Sequence, residues 1–418
     1  MTPAVDFGKM RSRVIAWALF DFGNTAFYVV ILTVGYPLYF REVIAGGAPN
    51  SDFLWGMAFS LSMACVALLS PVLGAAADAG AGKKQFLAAF TALCVAATAG
   101  LWFMEGGMVQ AGIVLLILAN IGFEGGLVFY DAFLPEISSA RTYGRVSGYG
   151  FAAGYAGSLI TLALVFPLYA GGFVPENLMN VRMSFPVAAG VFALFALPVF
   201  LVLPDAQKHR SVDLSIITAG FRRTRETLRT IGTYKNVTRF LASYFLYIDG
   251  INTIIIFSSI FTRETLRFDV GEIVLFFAMV QTSALAGAAL FGVIADHLGH
   301  KRTLVITLFL WLAITCTSFF VTEKSAFFAV GIFAGIALGS SQSTSRALMS
   351  QIIPADKKTE FFGFYSFFGK ASAILGPLVF GIVSTWIDQR SAILSVGLFL
   401  LAGLVLLRRV EVPPIPKT

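Results

Sequence analysis

The chain has 418 residues, 57% of them hydrophobic and only 13% charged, with a mean hydropathy of +0.81 and a formal net charge of +7. Soluble domains keep about a quarter of their residues charged, and the deficit here runs the whole length, which excludes a soluble protein carrying a single anchor. Apolar runs of roughly 18 to 27 residues recur from end to end. Each is long enough to cross a hydrocarbon core about 30 Å thick as a helix, and far too long for a barrel strand.

Taken in chain order, the runs predict spans at 14–40, 53–77, 85–104, 108–134, 146–170 and 184–203, then 237–261, 271–295, 303–321, 326–353, 361–386 and 391–407. The first follows Lys9, Arg11 and Arg13 and is too long for a signal-peptide core. It carries Asp21, Asn24 and Thr25, one polar stripe at i, i+3 and i+4. Span 2 ends in Gly74-x-x-Ala77-Asp78, followed by Gly82, Lys83 and Lys84. Span 4 holds Glu124 near its middle and Asp131 two turns on, along the same face. Gly148, Gly150, Gly154 and Gly157 stud span 5, a composition that permits close helix packing.

Residues 204–236 form the one long connection, with Arg222, Arg223, Arg225, Arg229 and Lys235 in a stretch that reads as an amphipathic helix against anionic lipid. Span 7 repeats the stripe as Asp249, Asn252 and Thr253, and Gly292-x-x-Ala295-Asp296 with Gly299, His300, Lys301 and Arg302 follows span 8. Span 10 carries Gln342 and Arg346, and span 11 carries Lys370. With the N-terminus placed in the cytoplasm, 22 of the 30 Lys and Arg fall in inner segments, counting Arg239 at the inner edge of span 7, and 6 in outer loops. That bias puts both termini on the cytoplasmic side of the cell (inner) membrane and explains the positive charge without nucleic acid.

Three signals recur in order: D-x-x-N-T at an offset of 228, the Asp78 and Asp296 loops at 218, and Gly148 with Gly154 against Gly363 with Gly369 at 215. They divide the chain into two related halves, 1–203 and 237–418, joined by a basic linker at 204–236. The predicted fold is an all-α membrane protein of twelve helices in two pseudo-symmetric six-helix bundles.

Both loops resemble the signature loop of the major facilitator superfamily. Trp17-Ala-Leu-Phe-Asp21-Phe-Gly-Asn24-Thr25, Phe129-Tyr130-Asp131-Ala-Phe-Leu-Pro135-Glu136, Ser147-Gly148-Tyr149-Gly150 and Gln342-Ser-x-Ser345-Arg346 resemble its vacuole-effluxer-like branch. Phe22 stands where that branch commonly has Trp, and Asp131 where Asn is usual. The resemblance implies transport, with amino acids or other small solutes as cargo.

Ionisable residues inside spans are costly and mark function by default. Glu124 and Asp131 are the proton-coupling candidates. Asp21, Asn24, Thr25, Asp249, Asn252, Thr253, Gln342 and Arg346 are the substrate-cavity candidates, although the Asn and Thr pairs serve equally well to join helices. Asp78, Lys83, Lys84, Asp296, Lys301, Arg302 and Lys370 are the gating candidates. No phosphate loop, H-E-x-x-H or paired-cysteine motif occurs, and the three histidines are expected in loops, so no cofactor, metal site or enzyme activity is expected. The reading is a monomeric, proton-linked secondary transporter of a small polar or zwitterionic solute. An exporter of amphipathic compounds and a non-transporting receptor on the same fold are the alternatives.

Overall fold

The computed structural model describes residues 7–204, 214–372 and 375–413. Among them, twelve helices are long and apolar enough to cross a membrane: Met10–Ile44, Ser51–Gly80, Lys83–Phe103, Val109–Ile137, Tyr143–Tyr169 and Pro175–Val202, then Ile231–Ser258, Gly271–Leu298, His300–Phe320, Lys324–Ile352, Lys358–Trp386 and Gln389–Arg408. They are numbered here as spans 1 to 12. No strand occurs among the described residues. The linker holds a further helix at Leu214–Arg229, and residues 205–213 lie outside the described set.

Packing divides the chain into two compact units, residues 1–133 with 153–221, and residues 134–152 with 222–418. The sequence repeat and the packing therefore part company over 134–152, where the loop after span 4 and the start of span 5 group with spans 7 to 12. A second difference lies in the linker, whose helix contains the boundary at 221/222.

In the first unit, spans 1 and 6, 3 and 4, and 2 and 4 pack against each other. Water supplies no hydrophobic drive between helices in lipid, so small residues and polar links do the joining. A Cβ on Gly122 would sit 2.7 Å from the Phe90 carbonyl oxygen, so glycine sets the approach of span 4 to span 3. The aromatic core is tied down as it packs. Trp17 stacks on Tyr130 with centroids 4.5 Å apart, and its Nε1 donates to the Tyr130 carbonyl at 3.0 Å.

In the second unit, spans 8 and 10, 7 and 12, and 9 and 10 are the main contacts. Gly287, Gly335 and Gly339 let spans 8 and 10 touch backbone to backbone. Tyr247 and Ser345 share a 2.7 Å hydrogen bond between spans 7 and 10.

The two signature loops turn alike. Gly82 has φ 76°, ψ 132° and Gly299 has φ 93°, ψ 139°, a left-handed conformation that favours glycine. Large apolar side chains such as Leu201, Phe320 and Trp386 remain outside both interiors, as expected of surfaces that lipid covers.

Candidate functional site

The first unit gathers its polar side chains around span 1. Asp21 is buried and accepts from Asn24 Nδ2 at 3.3 Å. Thr25 Oγ1 donates to the Phe22 and Gly154 carbonyls, each at 3.0 Å, tying span 1 to span 5. That approach depends on glycine. A Cβ on Gly157 would run into the Phe22 carbonyl and lie 2.8 Å from Thr25 Oγ1. Asp21 and Tyr28 lie near Tyr155, and Glu124 lies near Tyr28. Asp21, Glu124 and the two tyrosines thus form one acidic, aromatic neighbourhood, with Glu124 half-buried. Asp131, also half-buried, ends the helix Val109–Asp131. Immediately after span 1's stripe the backbone widens into a π-helical segment, Tyr28–Val34, a device that often marks functional positions.

The basic pair of the first loop binds helix ends. Lys83 is buried, donates to the Ala132 carbonyl at 2.9 Å and lies over the Phe133 ring at 5.1 Å. Lys84 donates to the Leu203 carbonyl at 2.6 Å. Both ammonium groups therefore satisfy carbonyls at the C-terminal ends of spans 4 and 6, where a cation is favoured. Asp78 is half-buried in the turn between spans 2 and 3.

In the second unit, Asp249 is fully buried and its Oδ1 accepts from the Gly376 backbone N–H at 2.9 Å. Its Oδ2 and Thr253 Oγ1 are buried without a hydrogen-bond partner among the described residues. Asn252 is half-buried beside them, as is Gln342 on span 10. The span 7 stripe faces Gly376 of span 11, while Gly369 meets Tyr244 instead.

Arg346 is 2% exposed. Its Nε donates to Ser147 Oγ and an Nη to the Ser147 carbonyl, both at 2.9 Å, while Ser147 Oγ donates to the Ser343 carbonyl at 2.8 Å. The guanidinium carbon sits 4.0 Å from the centroid of Phe151. A stacked, hydrogen-bonded guanidinium of this kind is held in one plane.

The start of span 5 is fastened again at Asp296. Its Oδ1 accepts from Gly144 N at 2.8 Å, and its Oδ2 from Arg145 Nε at 2.6 Å and Arg145 N at 3.2 Å. These backbone N–H groups lie in the first turn of a helix and have no partner within it, so the carboxylate meets both their hydrogen-bond need and the helix dipole. A Cβ on Gly148 would run into the Ala288 carbonyl, so the start of span 5 also packs tightly on span 8. Lys301 donates to the Arg408 and Val410 carbonyls at 2.9 and 2.6 Å, repeating at the end of span 12 what Lys84 does for span 6. Arg302 is exposed, and Lys370 is hydrogen-bonded to Ser366 within its own helix.

Two residues escape the sequence reading. His300 is not in an open loop: it begins span 9, 1% exposed, with Nδ1 2.7 Å from Gln351 Oε1 and Nε2 3.6 Å from Asp296. Its match to Lys83 in the repeat was the available signal. Glu360 is fully buried near the start of span 11, with Arg223 Nε at 3.3 Å and Lys357 Nζ at 4.0 Å. Its position just after Lys357 and Lys358 gives it the look of a solvated loop charge.

The fold and these interiors define a transporter of the major facilitator type. Human organic anion transporter MFSD10 superposes with a TM-score of 0.74, covering 95% of this chain and 99% of that one at 16% identity. The proton:xylose symporter XylE superposes at 0.70, covering 97% and 96% at 14% identity. At such identities the likeness shows the fold alone. The profile of the family described as vacuole effluxer Atg22 like matches residues 50–414, and the chain belongs to that family. An uncharacterized MFS-type transporter, YxiO of Bacillus subtilis, is 28% identical over 94% of this chain and 93% of its own. Autophagy-related protein 22 of Pichia angusta is 23% identical over 82% and 72%.

Proposed function

We propose that the protein is a proton-coupled secondary transporter that moves a small polar or zwitterionic solute, amino acids first, across a cell membrane by alternating access. It works as a monomer with both termini in the cytoplasm, the orientation that the Lys and Arg bias supports. Export is the direction we assign, since the family is described as one of effluxers.

One observation carries the reading. Arg346 is buried in a span, held by Ser147 and stacked on Phe151. A guanidinium so positioned costs little to order when it grips a carboxylate with two parallel hydrogen bonds. Glu124 is the proton carrier in this account, with Asp131 two turns along the same helix as a relay.

Residues 144–147 supply the gate. The Asp296 bonds to Gly144 and Arg145, and the Arg346 bonds to Ser147, are made in this structure, and in this account they break in the opposite state of the cycle. Arg346→Lys removes the planar fork but keeps the charge. Solute uptake into liposomes should fall about a hundredfold, because a point charge does not reproduce a stacked, bidentate contact. Uptake at the wild-type rate would remove Arg346 from both gripping and gating.

A second reading rests on Asp249. Its carboxyl is buried in span 7, with one oxygen bonded to the Gly376 N–H and the other without a partner among the described residues. Asp249 is therefore the alternative proton carrier.

A further inference from the structure

The linker helix Leu214–Arg229 has an inward and an outward side. Ile216, Gly220, Thr224 and Thr227 are buried, at the spacing of one helix face. Arg223 turns the same way. Its Nε reaches Glu360 at 3.3 Å, and an Nη donates to the Asp356 carbonyl at 2.6 Å. Lys357 Nζ donates to Thr227 Oγ1 at 2.6 Å and lies over the Tyr234 ring. Buried charges of this kind hold position only when mutually paired, and here they fix the helix in place.

The outward side is divided lengthwise. Phe221 and Leu228 are 56% and 53% exposed and lie seven residues apart, so they share a flank. Arg222, Arg225 and Arg229 are exposed and spaced three and four apart on the flank beside it. Glu226 is the one acidic residue of the helix. An apolar stripe bordered by arginines is the pattern of a helix lying in a membrane surface, with aromatic and aliphatic side chains among the acyl chains and guanidinium groups at the phosphates. Chain geometry keeps it there: span 6 ends at Val202, and span 7 begins at Ile231, two residues after Arg229.

We propose that this outward flank is a docking surface for anionic phospholipid, with Arg222, Arg225 and Arg229 binding headgroup phosphates and Phe221 and Leu228 inserted beside them. Charge complementarity selects the occupant. Three guanidinium groups against one carboxylate favour a net anionic phospholipid surface over a zwitterionic one, by about fivefold per arginine. The inference needs the membrane fold but not the solute assignment, so either can fail alone.

The test is hydrogen exchange of residues 214–229 in the full chain, reconstituted in nanodiscs of phosphatidylcholine alone or mixed with phosphatidylglycerol. Wild-type exchange should slow at least about fivefold in the anionic discs. Arg222→Gln, Arg225→Gln and Arg229→Gln combined should abolish the difference, and Leu228→Ser should reduce it. These side chains are exposed, so the variants leave the interior intact. Soluble glycerol phosphate added to phosphatidylcholine discs should give no protection. Equal wild-type exchange in both lipids, protection retained by the triple variant, or protection by soluble glycerol phosphate would each overturn the proposal, the last in favour of a free-anion site.

Discussion

Spans 1 and 5 in the first unit, and spans 7 and 11 in the second, meet through the same five-residue motif, yet divide its work differently. In the first pair Thr25 carries the bond between helices, to the Gly154 carbonyl, and Asp21 is held by Asn24 of its own helix. In the second pair Asp249 itself carries the bond, to the Gly376 N–H, and Thr253 Oγ1 makes none. A repeated motif has thus kept its place while its carboxylates have separated in role. Asp21 belongs to the neighbourhood of Tyr155, and Asp249 to the seam between two helices.

The sharpest way to break that comparison is to exchange each carboxylate for alanine. Asp249→Ala should destabilise the protein by about 1–3 kcal/mol, because a buried N–H loses its acceptor. Asp21→Ala should unfold nearly as the wild type does while solute transport falls at least about tenfold. Thermal unfolding and uptake, measured on both variants, decide it; equal profiles would erase the distinction.

The glycine seams come next. A Cβ on Gly157 meets Phe22 and Thr25, and one on Gly376 meets Thr253 and lies 2.7 Å from Asp249 Oδ1. Gly157→Ala and Gly376→Ala should each cost about 1–3 kcal/mol by overpacking. Tolerance of one and not the other in a thermal melt would show that the two seams are not equivalent.

The smallest effect concerns helix starts. Spans 2, 3 and 4 begin without a side-chain cap, whereas in the second unit Asp269 caps span 8 and Asp388 caps span 12. The Ser391 N–H and hydroxyl hold the Asp388 carboxyl below the usual carboxylate range. Its stabilisation is therefore complete above the unfolded value, near pH 4, and is lost as pH falls through the lowered folded value. Asp388→Ala should cost about 0.5–1 kcal/mol at neutral pH and progressively less in acid, read from melting temperatures across that range.

Much of this was legible in the sequence because lipid imposes one rule per span, and the apolar runs obey it. The D-x-x-N-T stripes and the glycine turns at Gly82 and Gly299 were legible because local geometry demands those residues. Where their side chains end up was not. Ser147 and Arg346 are 199 residues apart, and nothing local marks them as partners. Lys83, Lys84 and Lys301 bind carbonyls far along the chain, partners that the basic pairs themselves do not mark. Glu360 was hidden by its basic neighbours, and His300 by its place next to a glycine turn. In each case a charge looked solvated because its sequence surroundings were polar, while its burial depends on long-range packing.

The coupling assignment is the central claim, and flux measured in sealed liposomes tests it most directly. With a pH-sensitive dye inside and amino-acid gradients imposed without a pre-set pH difference, the wild-type protein should move protons in step with solute. Glu124→Gln should still exchange labelled solute at equal concentrations but move no protons. Solute movement with no proton signal in the wild type, or an unchanged proton signal in Glu124→Gln, would contradict the account.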